Sequence, residues 1–142
     1  MEVHEGGCLC GDIRYRVSGN PVRVLVCHCH FCQRMTGTAF AIEAIFPKEM
    51  VEFSGLPLTT YQTNSKESGR WIKLGFCPRC GTNVGVAAEH SPDRYAISGG
   101  TFDDPTWFEV SRHIWTQSMV PWVVLPKDCE HHERGSPRQA PA

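Results

Sequence analysis

The 142-residue chain lacks long apolar runs and an excess of charge of either sign. Apolar runs such as 22–26 and 120–125 have the length of a strand, far below the about 18 residues that a membrane-spanning helix needs. The formal net charge is only -1, so the chain offers no bulk attraction to the phosphates of nucleic acid. We therefore expect neither a membrane span nor a nucleic-acid partner.

The N-terminal segment also lacks the features of a secretion signal. Residues 1–5, MEVHE, are polar and acidic, with no basic stretch and no apolar stretch behind it. We expect a soluble, cytoplasmic protein on this basis. Because cytoplasmic thiols are kept reduced, the eight cysteines indicate metal binding or catalysis rather than disulfide bonds.

No internal repeat of 20–50 residues is visible, and helical periodicity is confined to one or two turns. Short segments of alternating or β-branched composition, separated by turn signals, predict a mainly β fold. The predicted strands are 13–17, 22–26, 38–46, 51–53, 58–63, 71–76, 82–88, 95–98 and 110–115. We expect one domain over residues 1–126 and a polar, poorly ordered tail over 127–142.

Four of the cysteines form two pairs that suit a closed zinc site. Cys77 and Cys80 are separated by two residues and followed by Gly81, the pattern of a metal knuckle. Cys8 and Cys10 lie between glycines that let the backbone turn tightly. Together the two pairs supply the four tetrahedral ligands of a structural zinc.

Cys27, Cys29 and Cys32 form a second, incomplete group. Three thiolates on zinc leave one position for water or substrate, which is typical of a catalytic site. A substrate thiol in that position loses its proton readily, because Zn²⁺ favours the anionic form. The sequence thus predicts a second, catalytic zinc that activates a thiol for attack on an aldehyde.

Other interpretations of these cysteines stay open at the level of sequence. Cys129 or a neighbouring histidine can close the second site, or Cys27/Cys29 or Cys29/Cys32 can pair with Cys77/Cys80. Cys29 and Cys32 can also form a redox pair. His28 and His30 alternate with the cysteines, so in an extended strand they face away from the metal.

Two further residues are candidates for the pocket beside the open site. Arg34 follows the cysteine group closely and can bind a substrate carboxylate. His113 lies in a predicted strand, where it is either a core residue or a substrate contact. His131 and His132 lie in the predicted tail, and we interpret them as a solvated pair.

These motifs resemble the glutathione-dependent formaldehyde-activating enzyme family, also called centromere-protein-V-like. The resemblance covers residues 6–122 and is carried by Gly7-Cys8-Leu9-Cys10-Gly11, by the stretch from Cys27 to Gly37, by Phe76-Cys77-Pro78-Arg79-Cys80-Gly81 and by His113-Ile114-Trp115 before Trp122.

The resemblance implies a β-tent fold with two zinc ions per chain. It assigns a structural zinc to Cys8, Cys10, Cys77 and Cys80 and a second zinc to Cys27, Cys29 and Cys32. It implies the formation of S-hydroxymethylglutathione from glutathione and formaldehyde, a carbon–sulfur lyase reaction in the reverse sense. The alternative is a non-catalytic binding module stabilised by zinc.

Overall fold

The structure, a computed structural model, describes residues 1–136, and these fold into two β-sheets with little helix. The prediction of a mainly β protein is confirmed. In chain order the strands are β1 (Val3–Gly7), β2 (Ile13–Ser18), β3 (Arg23–Cys27), β4 (Ala41–Pro47), β5 (Val51–Gly55), β6 (Thr59–Asn64), β7 (Trp71–Phe76), β8 (Asn83–Ala88), β9 (Arg94–Ser98), β10 (Arg112–Ile114) and β11 (Glu130–His131). The α-helix α1 spans His30–Thr36, and single 3₁₀ turns span Lys48–Met50, Gly99–Thr101 and Thr116–Ser118.

The small sheet has the strand order β1-β2-β5, and the large sheet has the order β11-β10-β3-β4-β9-β8-β7-β6. Neighbouring strands are antiparallel except at one end of the large sheet, where β10 lies parallel to both β3 and β11. The hairpin expected between residues 58–63 and 71–76 is present, with Thr59 opposite Phe76 and Asn64 opposite Trp71. It delivers Cys77 directly after β7, as its place in the sequence predicts.

The main core lies between the two sheets. Ile13, Tyr15 and Val17 alternate along β2, so one face of this strand is fully covered while Arg16 faces solvent. They pack with residues of the large sheet such as Phe46 and Ile97. Burial of each large apolar side chain contributes about 1.5–3 kcal/mol to folding, so this layer supplies most of the driving force.

A second apolar cluster lies on the other face of the large sheet. Leu25 and Cys27 of β3 and Ala41 of β4 pack there with Cys29 and Cys32. In β4 the alternate residues Ala44 and Phe46 face the main core instead. The period of two along β3 and β4 therefore places the cysteine group on the face opposite the small sheet.

Helix α1 begins and ends with local capping contacts. Cys29 has extended backbone angles, and its sulfur accepts a hydrogen bond from the backbone N–H of Cys32 at 3.3 Å. Gly37 adopts the left-handed conformation, φ 68°, and its N–H bonds to the carbonyl of Gln33. These caps define a short helix of seven residues, which positions Cys32 beside Cys27 at the end of β3.

Two strands differ from the sequence predictions. No strand was predicted before residue 13, but residues 3–7 form β1, which pairs with β2 over its whole length. Residues 130–131 lie in the predicted tail, yet they form β11 alongside β10. The backbone N–H groups of Trp115 and Thr116 also bond to the carbonyls of Arg134 and His132.

Residues 130–134 of the predicted tail thus pair with β10 and the segment after it, although they carry no apolar periodicity. The physical reason is that β10 has an unpaired edge, and a polar segment can satisfy it through backbone hydrogen bonds without apolar periodicity. Residues 137–142 of the predicted tail lie outside the described residues. The domain division at residue 126 stays a prediction.

Within residues 1–136 no helix is long and apolar enough to cross a bilayer, since α1 has only seven residues.

Candidate metal centres

The four sulfurs of Cys8, Cys10, Cys77 and Cys80 converge, and all lie within 4.8 Å of one another. Cys8 Sγ is 3.5 Å from Cys10 Sγ, and Cys10 Sγ is 3.8 Å from Cys77 Sγ. Tetrahedral zinc with Zn–S bonds of about 2.3 Å places its sulfurs about 3.8 Å apart. The spacing of this group therefore fits a closed zinc site.

Two matching turns build the four-cysteine group. Gly11 N–H bonds to the carbonyl of Cys8, and Gly81 N–H bonds to the carbonyl of Cys77. Both glycines have positive φ, 83° and 77°, which side-chain-bearing residues adopt with strain. Backbone N–H groups also point at the sulfurs, from Ile13 to Cys8 at 3.3 Å and from Arg79 to Cys77 at 3.4 Å.

Side chains connect the two turns of the four-cysteine group. Arg79 Nη1 donates to Asp12 Oδ2 at 2.7 Å, so each turn contributes one partner of an ion pair. The Thr82 hydroxyl lies 3.2 Å from Cys80 Sγ, and hydrogen bonds from Thr82 lower the pKa of Cys80 to about 5. A thiol that ionises this easily is suited to metal ligation.

The second group contains the sulfurs of Cys27, Cys29 and Cys32, again mutually within 4.8 Å. Cys27 ends β3, Cys29 caps α1, and Cys32 lies in the first turn of α1. The Cys27 thiol lies 3.4 Å from Cys29 Sγ. The end of β3, the cap of α1 and the first turn of α1 thus bring the three cysteine sulfurs of one short stretch close together.

Crowding of the three thiols separates their acidities. Hydrogen bonds from the Cys27 and Cys32 thiols lower the pKa of Cys29 to about 3. Hydrogen bonds with Cys27 and Cys29 raise the pKa of Cys32. The hydrogen bond with Cys29 raises the pKa of Cys27. Since mutual repulsion allows one thiolate readily but not three, a divalent cation is the partner that lets all three ionise.

The two groups differ in exposure. Cys27, Cys29 and Cys32 are each only 5–6% exposed, whereas Cys10 is exposed and Cys80 is half-buried. Phe31, Met35 and Trp115 pack against the apolar cluster that contains these three cysteines. The surface clefts of the small sheet, lined by residues such as Glu5 and Arg16, belong to another part of the molecule.

His28 and His113 form a buried pair behind the three-cysteine group. His28 Nε2 lies 2.9 Å from His113 Nδ1, and His28 is 0% exposed. Burial lowers the pKa of both imidazoles, each further lowered by a neighbouring histidine. His28 is therefore a packing and hydrogen-bonding residue, and the His113 side chain contacts the cysteine loop at His28.

Gln33 fixes the same loop to the segment after β10. Its Nε2 donates to the carbonyl of His28 at 2.9 Å and to the carbonyl of Ser118 at 3.0 Å. One side chain thus fastens both the metal-ligand loop and the 3₁₀ turn 116–118. A glutamine amide has two N–H donors, which is what this arrangement needs.

Several sequence candidates lie away from the sulfurs. Arg34 is exposed on α1 and forms no ion pair within the described part of the chain. Cys129 contacts the carbonyl of Val110 at 3.7 Å and joins neither cysteine group. His28 and His30 also stand outside both groups. Closure of the second site by Cys129 or by these histidines has no support in the structure.

Glu43 is a site neighbour that the sequence reasoning missed. Its Oε1 lies 3.9 Å from Cys32 Sγ, from the middle of β4. Burial raises the pKa of its carboxyl to about 7, and the charge of Cys29 adds to the effect. The only available sequence signal was a lone acidic residue within the apolar run of β4.

Fold and site together define a mainly β protein with two cysteine groups that can each hold a metal ion. The family model described as glutathione-dependent formaldehyde-activating enzyme matches residues 3–118. The chain belongs to that family.

Among solved structures, the crystal structure of a Rhodobacter sphaeroides protein is similar, with a TM-score of 0.55 and 24% sequence identity. The match covers 70% of this chain and 87% of that one. At this level of identity the likeness concerns the fold alone.

Proposed function

We propose that this chain is a zinc-dependent carbon–sulfur lyase acting on a thiol/aldehyde adduct, such as S-hydroxymethylglutathione formed from glutathione and formaldehyde. The observation that carries the proposal is the convergence of three sulfurs without a fourth cysteine, in a member of this family. Cys27, Cys29 and Cys32 are the proposed ligands of a catalytic zinc, and Cys8, Cys10, Cys77 and Cys80 those of a structural zinc. The proposed setting is a reducing one such as the cytoplasm, where seven ligand thiols persist.

In the proposed reaction the substrate sulfur attacks the carbonyl carbon of the aldehyde. A carbon–sulfur bond forms, the carbonyl π electrons move to oxygen, and this oxygen takes up a proton; cleavage is the reverse. When bound, zinc supplies stabilisation of the substrate thiolate at neutral pH. The chain's residues hold the ligand sulfurs in place, with His113 and Gln33 positioning their loop and the apolar cluster around them excluding water. Arg34 is the proposed contact for a substrate carboxylate.

Exchange spectroscopy with glutathione and formaldehyde tests the function. The zinc-loaded protein is expected to accelerate formation of the adduct, measured by NMR line broadening or magnetisation transfer at equilibrium. Cys29→Ala should abolish the acceleration, while Cys129→Ala, a change at the cysteine outside both groups, should leave it intact. A wild-type rate no faster than buffer with this pair would remove formaldehyde and glutathione as the substrates.

One observation favours a second candidate, a non-catalytic zinc-stabilised binding module. The three cysteines are buried in an apolar cluster against which Phe31, Met35 and Trp115 pack, a setting compatible with a purely structural site. The two candidates differ in one property, which is access of an added thiol to the metal. Absence of any thiol binding at this site would favour the binding module.

A further inference from the structure

The side chains of β4 alternate between the two apolar clusters, and Glu43 breaks the pattern on one side. Ala41 and Ile45 face the cluster that holds Cys27, Cys29 and Cys32, whereas Ala44 and Phe46 face the main core. Glu43 lies between Ala41 and Ile45, so the period of a strand places it on the cysteine side. An acidic side chain thus occupies the middle of an otherwise apolar row.

The Glu43 side chain is half-buried and has no cationic partner within the described part of the chain. Within residues 1–136 Glu43 takes part in no ion pair. Its Oε1 accepts a hydrogen bond from the Cys32 thiol, with 3.9 Å between the sulfur and the oxygen. Withdrawing a carboxylate from water costs free energy, so carboxylates in such surroundings are normally paired or coordinate metal. A metal ion at the three-cysteine group would bring positive charge beside Glu43, because Glu43 contacts Cys32 of that group.

The distance between the side chains of Cys32 and Glu43 suits two ligands of one metal ion. With Zn–S of about 2.3 Å and Zn–O of about 2.0–2.2 Å, a tetrahedral site places sulfur and oxygen about 3.5–3.7 Å apart. The observed 3.9 Å between Cys32 Sγ and Glu43 Oε1 is close to that value. The Glu43 carboxylate is not among the ligand atoms that lie within 4.8 Å of one another in this group. Rotation about its three side-chain torsions would bring it to the distance of a metal ligand.

We propose that the Glu43 carboxylate is the exchangeable fourth donor of the Cys27, Cys29 and Cys32 group in the absence of a thiol. The inference rests on the proposed function, because it assumes a metal at this group that accepts a substrate thiol. A soft thiolate replaces a carboxylate readily in a sulfur-rich site. As a ligand exchange, one oxygen donor leaves, one sulfur donor enters, and the thiol proton is released to water.

The test compares cobalt(II)-loaded Glu43→Gln with wild type and with Glu52→Gln, a matched change at an exposed residue of β5. Without thiol, Glu43→Gln is expected to change the visible ligand-field bands and to weaken metal binding at one site by about 10–100-fold. Glu52→Gln should match wild type in both measurements. Identical spectra and affinities for Glu43→Gln and wild type would overturn the proposal.

Glutathione added to the same samples separates this inference from the proposed function. Wild type and Glu43→Gln should then give the same spectrum, since the added thiolate occupies the fourth position in both. A wild-type spectrum that does not change when glutathione is added contradicts the proposed function, whatever the difference between wild type and Glu43→Gln without thiol. Should Glu43→Gln fail to fold by circular dichroism, Glu43→Leu takes its place, because leucine has no oxygen donor and suits the apolar row of β4. A thiol-free spectrum of Glu43→Leu identical to wild type contradicts the proposal.

Discussion

At the scale of single residues, identical cysteine side chains have different surroundings and, on our proposal, different duties. Cys80 lies at the surface in a turn that a glycine, a threonine and an ion pair hold in shape. Cys29 is buried and caps a helix while contacting two other thiols. The number of converging sulfurs, four in one group and three in the other, separates a closed site from an incomplete one.

Replacing one ligand in each group should give contrasting results. Cys80→Ala is expected to unfold the protein or nearly so, because structural zinc contributes about 10–16 kcal/mol in small zinc domains, as much as the 5–15 kcal/mol of a whole domain. Cys29→Ala should leave a folded, inactive protein with one metal per chain. Circular dichroism, thermal unfolding and metal analysis measure these outcomes. Equal unfolding of the two variants would indicate that the three-cysteine group is structural as well.

Two glycine replacements should separate backbone strain from steric overlap. Gly11 has φ 83° with no atom within 4 Å of an added Cβ, so Gly11→Ala should cost only about 1–2 kcal/mol. A Cβ at Gly6 overlaps the Tyr15 hydroxyl and the Thr101 carbonyl oxygen. Gly6→Ala should therefore cost about 3 kcal/mol or more. Urea unfolding of the zinc-loaded proteins measures the loss of unfolding free energy in both variants. A larger loss for Gly11→Ala than for Gly6→Ala would contradict the prediction.

At the scale of elements, apolar alternation made most of the strands predictable. β2, β7 and β9 coincide with their predicted segments to within a residue, because alternating or β-branched composition marks them. β1 escaped because its glycines, which have low strand propensity, serve close packing: Gly6 lies against Tyr15 and Thr101, and Gly7 lies against Ile13. β11 escaped because its pairing relies on backbone hydrogen bonds and an ion pair between Arg112 and Glu130, neither of which marks a strand in the sequence.

The candidate sites were predictable to a different degree. Spacing and flanking glycines marked the two cysteine pairs and the triplet, because each lies in one short stretch of chain. The family resemblance, rather than spacing, implied that the two pairs form one group and the triplet another. Glu43 and the pair of His28 and His113 are joined by sheet register, which brings β3 beside both β4 and β10. Register depends on pairing across the whole sheet, so no local pattern revealed these contacts.

The pairing of the C-terminal segment with β10 leads to a test at the scale of elements. His132 N–H donates to the carbonyl of His113 at 2.9 Å. His132→Pro removes this bond and should lower the free energy of unfolding by about 1–3 kcal/mol, because the acceptor carbonyl lies in a buried residue. His132→Ala keeps the backbone N–H and serves as the control. Equal stability of the two variants would show that the pairing contributes nothing.

At the scale of the whole molecule, the four-cysteine group joins the two sheets. Cys8 and Cys10 follow β1 of the small sheet, whereas Cys77 and Cys80 follow β7 of the large sheet. A metal ion held by all four therefore stabilises the packing of the sheets as well as two turns. The three-cysteine group lies within the large sheet and its helix, so the structural and catalytic roles that we propose fall to different parts of the molecule.

The central claim is that the Cys27, Cys29 and Cys32 group holds a zinc that accepts a substrate thiol. X-ray absorption at the zinc edge tests it most directly, by counting sulfur neighbours with and without glutathione. Because one group has four cysteines and the other three, the average should be about 3.5 sulfurs per zinc without thiol and about 4 with it. An average that stays unchanged when glutathione is added, with two zinc ions bound, would contradict the claim.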